Sequence, residues 1–162
     1  MIVISDTSVI SNLYQIGQLG LLVKLYKEVA IPPAVQHELF GLDTQREMLE
    51  SLNWIKVVIV KNQAYVQRLI TVESLDIGEA EAIGLALQES ATWLLIDESA
   101  GRAVAQREHI KITGVLGVLV RAKQEGYILA VRPFAKQLLN IGFRLSPKLL
   151  TRVLLATGER PI

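Results

Sequence analysis

The chain has 162 residues, 51% of them hydrophobic and 20% charged, enough for one domain with a real core and unlike a disordered sequence. Its 17 basic and 16 acidic residues leave a net charge of +1, which excludes a globally basic nucleic-acid-coating protein; a polyanion would have to be held by a local patch, bound cations or a dimer groove. With no cysteine there are no disulfides, thiolate zinc sites or cysteine nucleophile, which fits a cytoplasmic protein, and no apolar run approaches the ~20 residues that span a bilayer.

In chain order, short apolar runs alternate with longer amphipathic stretches, the pattern of βαβ units around a parallel sheet. Met1 to Ser5 reads as the first strand; it is too short, and lacks the basic flank, for a signal peptide. Helices follow over Thr7 to Ile16 and Leu19 to Lys27, then a strand over Val29 to Ile31. Pro33 opens a helix to Phe40, with Gly41 as its stop, and Thr44 to Leu52 forms the next. A strand over Trp54 to Val60 leads to helices at Asn62 to Thr71 and Gly78 to Glu89. Trp93 to Asp97 is a strand, Ser99 to Glu108 a helix, Lys111 to Thr113 a strand and Gly114 to Glu125 a helix. Two more helices, Pro133 to Asn140 and Pro147 to Ala156, the last opened by Ser146-Pro147, end the chain. The strands' near-continuous apolar character predicts burial on both faces.

Four acids sit where surface duty is a poor explanation. Asp6 and Asp97 each close an apolar strand, so both would project at the carboxyl edge of the sheet, where ligands gather in open α/β folds. Helix capping is the competing use for an Asp at such a junction. At about 100° per residue, Glu79 falls inside the apolar arc of Ala82, Ile83, Ala86 and Leu87, whereas Glu81 falls beside Gln88 on the polar side and reads as solvated. Glu38 lies in direction between Ala34 and Val35, with Gln36 and His37 opposite. A carboxylate on a buried stripe is costly unless paired, hydrogen-bonded or metal-bound, so a salt bridge is the alternative for Glu38. Four like charges brought together call for a cation between them. Carboxylate oxygens suit Mg²⁺ or Mn²⁺, and the chemistry that follows is phosphodiester hydrolysis.

Asp6-Thr-Ser8, Pro33-Ala-Val-Gln-His-Glu38, Gly78-Glu-Ala-Glu-Ala-Ile83 and Leu95-Ile-Asp-Glu98 resemble, in order, the acidic motifs of PIN-domain nucleases. Gly114-Val-Leu-Gly-Val-Leu119 and Gly142-Phe-Arg-Leu-Ser146 extend the likeness to a prokaryotic branch near the toxin ribonucleases of type II toxin–antitoxin pairs. The resemblance implies one three-layer α/β/α domain over residues 1–162, with a central parallel sheet of about five strands and a C-terminal helical segment (about 132–157) packed on it or used for partner contact. It implies a Mg²⁺- or Mn²⁺-dependent endoribonuclease acting on RNA, a homodimer, restrained by an antitoxin protein. Asp6, Glu38, Glu79 and Asp97 would bind metal or activate water, Ser8 would support Asp6 by hydrogen bonding, and Glu98 competes with Asp97 as the last acid. Many relatives carry Asp where Glu79 stands, so a catalytically weak or inactive RNA-binding or protein-interaction module is the alternative.

Other classes leave no trace. There is no Gly-x-Ser-x-Gly elbow, P-loop or complete dinucleotide fingerprint. An aspartyl phosphotransferase centred on Asp6 would want a second Asp where Ser8 stands. Arg102, one helical turn after Glu98, reads first as its ion-pair partner and second as a phosphate contact near Asp97. His37 and His109 share no metal spacing, Gly114 and Gly117 suit close helix packing, and Leu149, Leu150, Val153 and Leu154 give the last helix a core face.

Overall fold

The computed structural model describes residues 1–41 and 43–162, with the side chains of residues 43–45 and 48 outside that description. Five short strands form one all-parallel sheet: β1 (Val3–Ser5), β2 (Val29–Ile31), β3 (Ile55–Val57), β4 (Trp93–Leu95) and β5 (Ile112–Thr113). Their spatial order is β3-β2-β1-β4-β5, so β1 is central. Ten helices among the described residues surround it: α1 (Thr7–Gln15), α2 (Gly20–Tyr26), α3 (Pro33–Phe40), α4 (Asp43–Glu50), α5 (Gln63–Glu73), α6 (Ile77–Gln88), α7 (Ser99–Arg107), α8 (Val115–Gln124), α9 (Arg132–Asn140) and α10 (Pro147–Ala156). None of them is long and apolar enough to cross a membrane.

Alternation along the strands divides the interior in two. Val3 and Leu95 join a core with α1, α2, α3, α8, α9 and α10; Ile4, Leu94 and Ile96 join a second core with α5, α6 and α7. Successive residues of a strand point to opposite faces, so the apolar runs supply both layers at once. Each fully buried Leu or Ile contributes roughly 1.5–3 kcal/mol. β3 departs from two-faced burial because it is an edge strand: Val57 is 42% exposed.

Helix punctuation follows the chain. Pro33 occupies the first turn of α3 and Gly41 its C-terminal cap. The Asn62 side chain accepts the Tyr65 N–H to open α5, and Ser146 does the same for Leu149 in α10. On α10, Leu150 and Leu154 are buried and Val153 is half-buried, but Leu149 is 43% exposed, so the expected core face is narrower than its four apolar residues suggest.

After α10 the chain is clamped by Glu159. Its carboxylate accepts the Val131 and Arg132 N–H groups at the start of α9, the Lys123 ammonium at 2.9 Å and the Thr157 hydroxyl. Burial pushes its pKa up, but these bonds outweigh that and hold it at about 2. Glu159→Ala is expected to lower stability by about 3 kcal/mol, because it leaves a half-buried ammonium and two helix-start N–H groups without their acceptor. The urea midpoint measures this, and an unshifted midpoint would show that the clamp contributes nothing.

Candidate active site

β1 and β4 are adjacent, yet the chain leaves them in opposite directions, towards β2 and β3 from one and towards β5 from the other. This is the topological switch point, where a crevice opens beyond the carboxyl ends of the strands. Asp6 follows β1 there, its N–H donating to the Leu95 carbonyl across the switch at 2.9 Å. It occupies the N-cap position of α1, but beyond the pull of the adjoining Thr7 N–H its side chain makes no capping hydrogen bond to that helix. Capping therefore does not account for it, and the side chain points into a cleft with the residue only 4% exposed.

Four further carboxylates line the same cleft of about 510 Å³: Glu38 from α3, Asp76 and Glu79 from the start of α6, and Glu98 from the start of α7. Thr7, Ser8, Ser11 and Asn12 of α1 provide a polar wall. Glu38 accepts a hydrogen bond from the Thr7 hydroxyl. Opposite, a Cβ on Gly78 would come within 2.6 Å of Glu38 Oε1, so the glycine leaves the carboxylate its room. Glu79 is 7% exposed and its Oε2 is buried with no hydrogen-bond partner among the described residues. Gly101 of α7 makes room for that oxygen and for Ile96, since a Cβ there would lie 2.8 Å from the one and 2.6 Å from Cδ1 of the other.

Asp76 is the acid that sequence reading missed. It is the N-cap of α6, its side chain accepting the Glu79 N–H at 2.8 Å. Asp three residues before Glu, ahead of an apolar helix, was the available signal; starting the helix at Gly78 hid it.

Glu81, expected on a solvated face, is 7% exposed. Every residue of α6 from Gly78 to Ala86 is buried, because the helix is packed between α3 and α5, and its wheel has no solvent side there. The Glu81 carboxylate accepts the Ala34 N–H at 2.8 Å, satisfying a donor in the first turn of α3, and Gln63 Nε2 lies 3.4 Å away. Its role is to cap α3 from across the interface. The hydrogen bond expected from Ser8 to Asp6 is not formed: Ser8 Oγ is buried without a partner among the described residues, and it is Thr7 that supports an acid, Glu38.

Among the described residues no cation pairs with this cluster. The ion pairs among the described residues join Arg46 to Glu50, Arg107 to Glu73 and Lys123 to Glu159, all elsewhere, so the salt bridge weighed for Glu38 is absent. Asp6 is pushed up to about 7, first by burial and then, against the pull of the Thr7 N–H, by the charges of Asp76, Glu38 and Glu98. Glu79 is pushed up to about 8, again by burial first, then by a hydrogen bond with Asp76 and by the surrounding acids. Among the described residues no three His, Asp or Glu stand at the spacing of a ready-made metal cage. The donor set nevertheless suits a hard divalent cation: it is all oxygen, and one buried carboxylate oxygen is unpartnered.

A family model described as a PIN domain (DUF3368) matches residues 2–159, nearly the whole chain. The chain belongs to the PIN-domain family. No curated protein matches the sequence. PIN domains are typically metal-dependent nucleases, and their fold is typical of Mg²⁺-dependent ones.

In this PIN domain the last acid is split between two neighbours by strand parity. Ser5 pairs with Leu95, so Asp6 pairs in direction with Ile96, on the α6 side, while Asp97 falls on the α8 side. Asp97 there accepts the Val115 N–H at 3.1 Å through Oδ2 and caps α8, the competing use foreseen for it, though on a different helix from the one it precedes. Its pKa is raised by burial, against the Val115 N–H and the Arg102 charge, which lower it. Arg102 donates to the Ile96 carbonyl at 3.0 Å and sits by Asp97 instead of pairing with Glu98. Gly114, expected to ease helix packing, leaves space for a carboxylate: a Cβ there would stand 2.0 Å from Asp97 Oδ1.

Glu98 takes the place in the acidic cleft and Asp97 lines the adjoining cavity. Glu98→Gln is expected to weaken Mn²⁺ binding about tenfold with little change in stability. Gly114→Ala, which displaces the Asp97 carboxylate from Val115, is expected to cost about 1–2 kcal/mol. Mn²⁺ calorimetry paired with urea denaturation separates the two; the reverse assignment of effects would make Asp97 the cleft acid.

Proposed function

We propose that this PIN domain is a metal-dependent endoribonuclease that hydrolyses RNA phosphodiester bonds. The observation that carries the reading is the buried Glu79 oxygen beside Asp6, without a partner among the described residues, in a cleft of five carboxylates to which none of those residues offers an ion pair. Asp6, Glu38, Glu79 and Glu98 would hold Mg²⁺ or Mn²⁺, with Asp97 behind them on the α8 side. A divalent ion supplies two things at such a site, a water of lowered pKa and compensation for charge developing on a phosphate.

The chain's own residues prepare for this. Thr7 and Gly78 fix the position of Glu38, and Asp76 anchors the start of α6 so that Glu79 enters the cleft from a rigid turn. The raised Asp6 and Glu79 carboxyls hold protons near neutral pH, so loading a cation must expel them. Cleavage of a labelled single-stranded RNA with Mn²⁺, stopped by chelator, is the expected result. Cleavage that continues with chelator present would overturn the proposal.

In the same reading the protein is the toxin of a toxin–antitoxin pair, a homodimer held in check by an antitoxin protein. Growth arrest on induction, relieved by co-expressing a small neighbouring DNA-binding regulator, tests that role. A second reading is a catalytically weak RNA-binding or protein-interaction module, supported by the longer Glu79 side chain standing where many relatives carry Asp. Calorimetry with millimolar Mn²⁺ decides between the two: no heat of binding, together with tight RNA binding, selects the module.

A further inference from the structure

The acidic cleft does not end at its carboxylates. Ser8, Asn12 and Glu98 are shared with a second cavity of about 530 Å³, whose far wall is the segment Ile141 to Arg144 between α9 and α10. The chemistry changes across that shared wall. On one side stand acids without cations; on the other are the half-buried ring of Phe143 and the exposed guanidinium of Arg144. Although Arg144 lines this cavity with Asp97 and Glu98, it makes no ion pair or hydrogen bond among the described residues. It also lines the next cavity along, together with Asp97 and Arg102.

We propose that the segment Phe143-Arg144 is a substrate subsite, holding the nucleotide next to the scissile phosphate of a single-stranded RNA. The inference rests on the nuclease reading and says where the strand leaves the acidic cleft. A polyanion entering a cleft of carboxylates is repelled except at the point where a cation offsets them, so its neighbouring phosphate needs a positive contact close by. With a net charge of only +1, the whole protein does not supply that attraction, and a local arginine does. An aromatic ring beside an arginine offers a base a stacking face and its phosphate a forked donor, whatever the base. Asn12 adds an amide on the shared wall, able to donate to a phosphate or sugar oxygen.

The test is fluorescence anisotropy of a labelled single-stranded RNA octamer with no divalent metal present, over a series of salt concentrations. Arg144→Ala is expected to weaken binding about tenfold and to flatten the salt dependence by about one phosphate contact. Arg144→Lys should recover part of the loss. Lys136→Ala, an exposed cation on α9 outside both cavities, should bind as the wild type does. Equal affinity for Arg144→Ala and wild type, or an equal loss from Lys136→Ala, would overturn the subsite. Wild-type protein that binds the octamer through Arg144 but does not cleave it with Mn²⁺ would remove the nuclease reading, and with it the scissile phosphate, leaving Phe143-Arg144 as an RNA contact only. A wild type that neither binds nor cleaves removes both.

Discussion

Asp6→Asn is expected to lower Mn²⁺-dependent RNA cleavage by about 10²-fold or more while making the metal-free protein more stable at pH 8. The two halves have one cause. Asp6 is 4% exposed and its pKa stands at about 7 in place of 3.8, so the fold resists its ionised form. Asn fills nearly the same volume, cannot ionise, and escapes that cost; a gain of about 1–2 kcal/mol at pH 8 is expected, part of the benefit being lost to an amide that needs new partners. The same neutrality removes a hard, charged ligand for the cation, and with it the reaction. Single-turnover cleavage and urea denaturation on the same preparations measure both. A loss of activity with a matching loss of stability would mean that Asp6 serves the fold. An unchanged cleavage rate would remove Asp6 from the site.

Between pH 4 and pH 8 the metal-free wild-type protein is expected to become less stable, against the usual trend for an acid-rich surface. Asp6 and Glu79 have folded pKa values of about 7 and about 8, above their ordinary values of 3.8 and 4.5. In this window the folded state therefore holds more protons than the unfolded state, and stability falls as protons leave. The contribution of such a group is fully present below its unfolded pKa and is lost as pH rises through its folded pKa. For Asp6 alone the span corresponds to on the order of 4 kcal/mol; Glu79 adds less than its own shift suggests, because the two acids raise one another.

Glu159 works in the opposite sense, its depressed pKa adding stability above pH 4.5 that disappears as pH falls towards 2. Maximum stability without metal thus lies near pH 4–5. Saturating Mn²⁺ should offset part of the decline at pH 8, by about 2.7 kcal/mol at a hundred times its dissociation constant. Urea midpoints at several pH values, with chelator and with Mn²⁺, give the answer. A flat or rising curve in chelator would show that the cleft tolerates its charges unaided.

The arrangement combines stability and function in a recognisable way. Three helices, α1, α6 and α7, start at the cleft, and their N-terminal ends favour the negative charge gathered there. Glycines at 78 and 114 give way to the carboxylates of Glu38 and Asp97, and Gly101 gives way to both Ile96 and Glu79. Among the described residues Asp6, Glu38 and Glu79 have no ion-pair partner, which is a cost to the metal-free fold and a reservoir for binding a cation.

How far the chain spoke for itself varies from residue to residue. The alternation of apolar runs and amphipathic stretches settled the parallel α/β architecture, because burial on two sheet faces leaves a periodicity that needs no coordinates. Asp6 after the first strand, and Glu38 and Glu79 on apolar helix stripes, were legible for the same local reason. Glu81 was not, since a helical wheel knows only one helix, and α6 is enclosed by α3 and α5 on the side the wheel assigned to water. Asp76 needed the true start of α6, and the choice between Asp97 and Glu98 needed the register Ser5 to Leu95, which sends alternate side chains to opposite layers. Local pattern thus set Asp6, Glu38 and Glu79 apart from the polar faces and missed Glu81. Only the pairing of β1 with β4 and the stacking of α6 on α3 decided which of them meet, because those contacts join residues ninety and 47 positions apart that no short-range periodicity can relate.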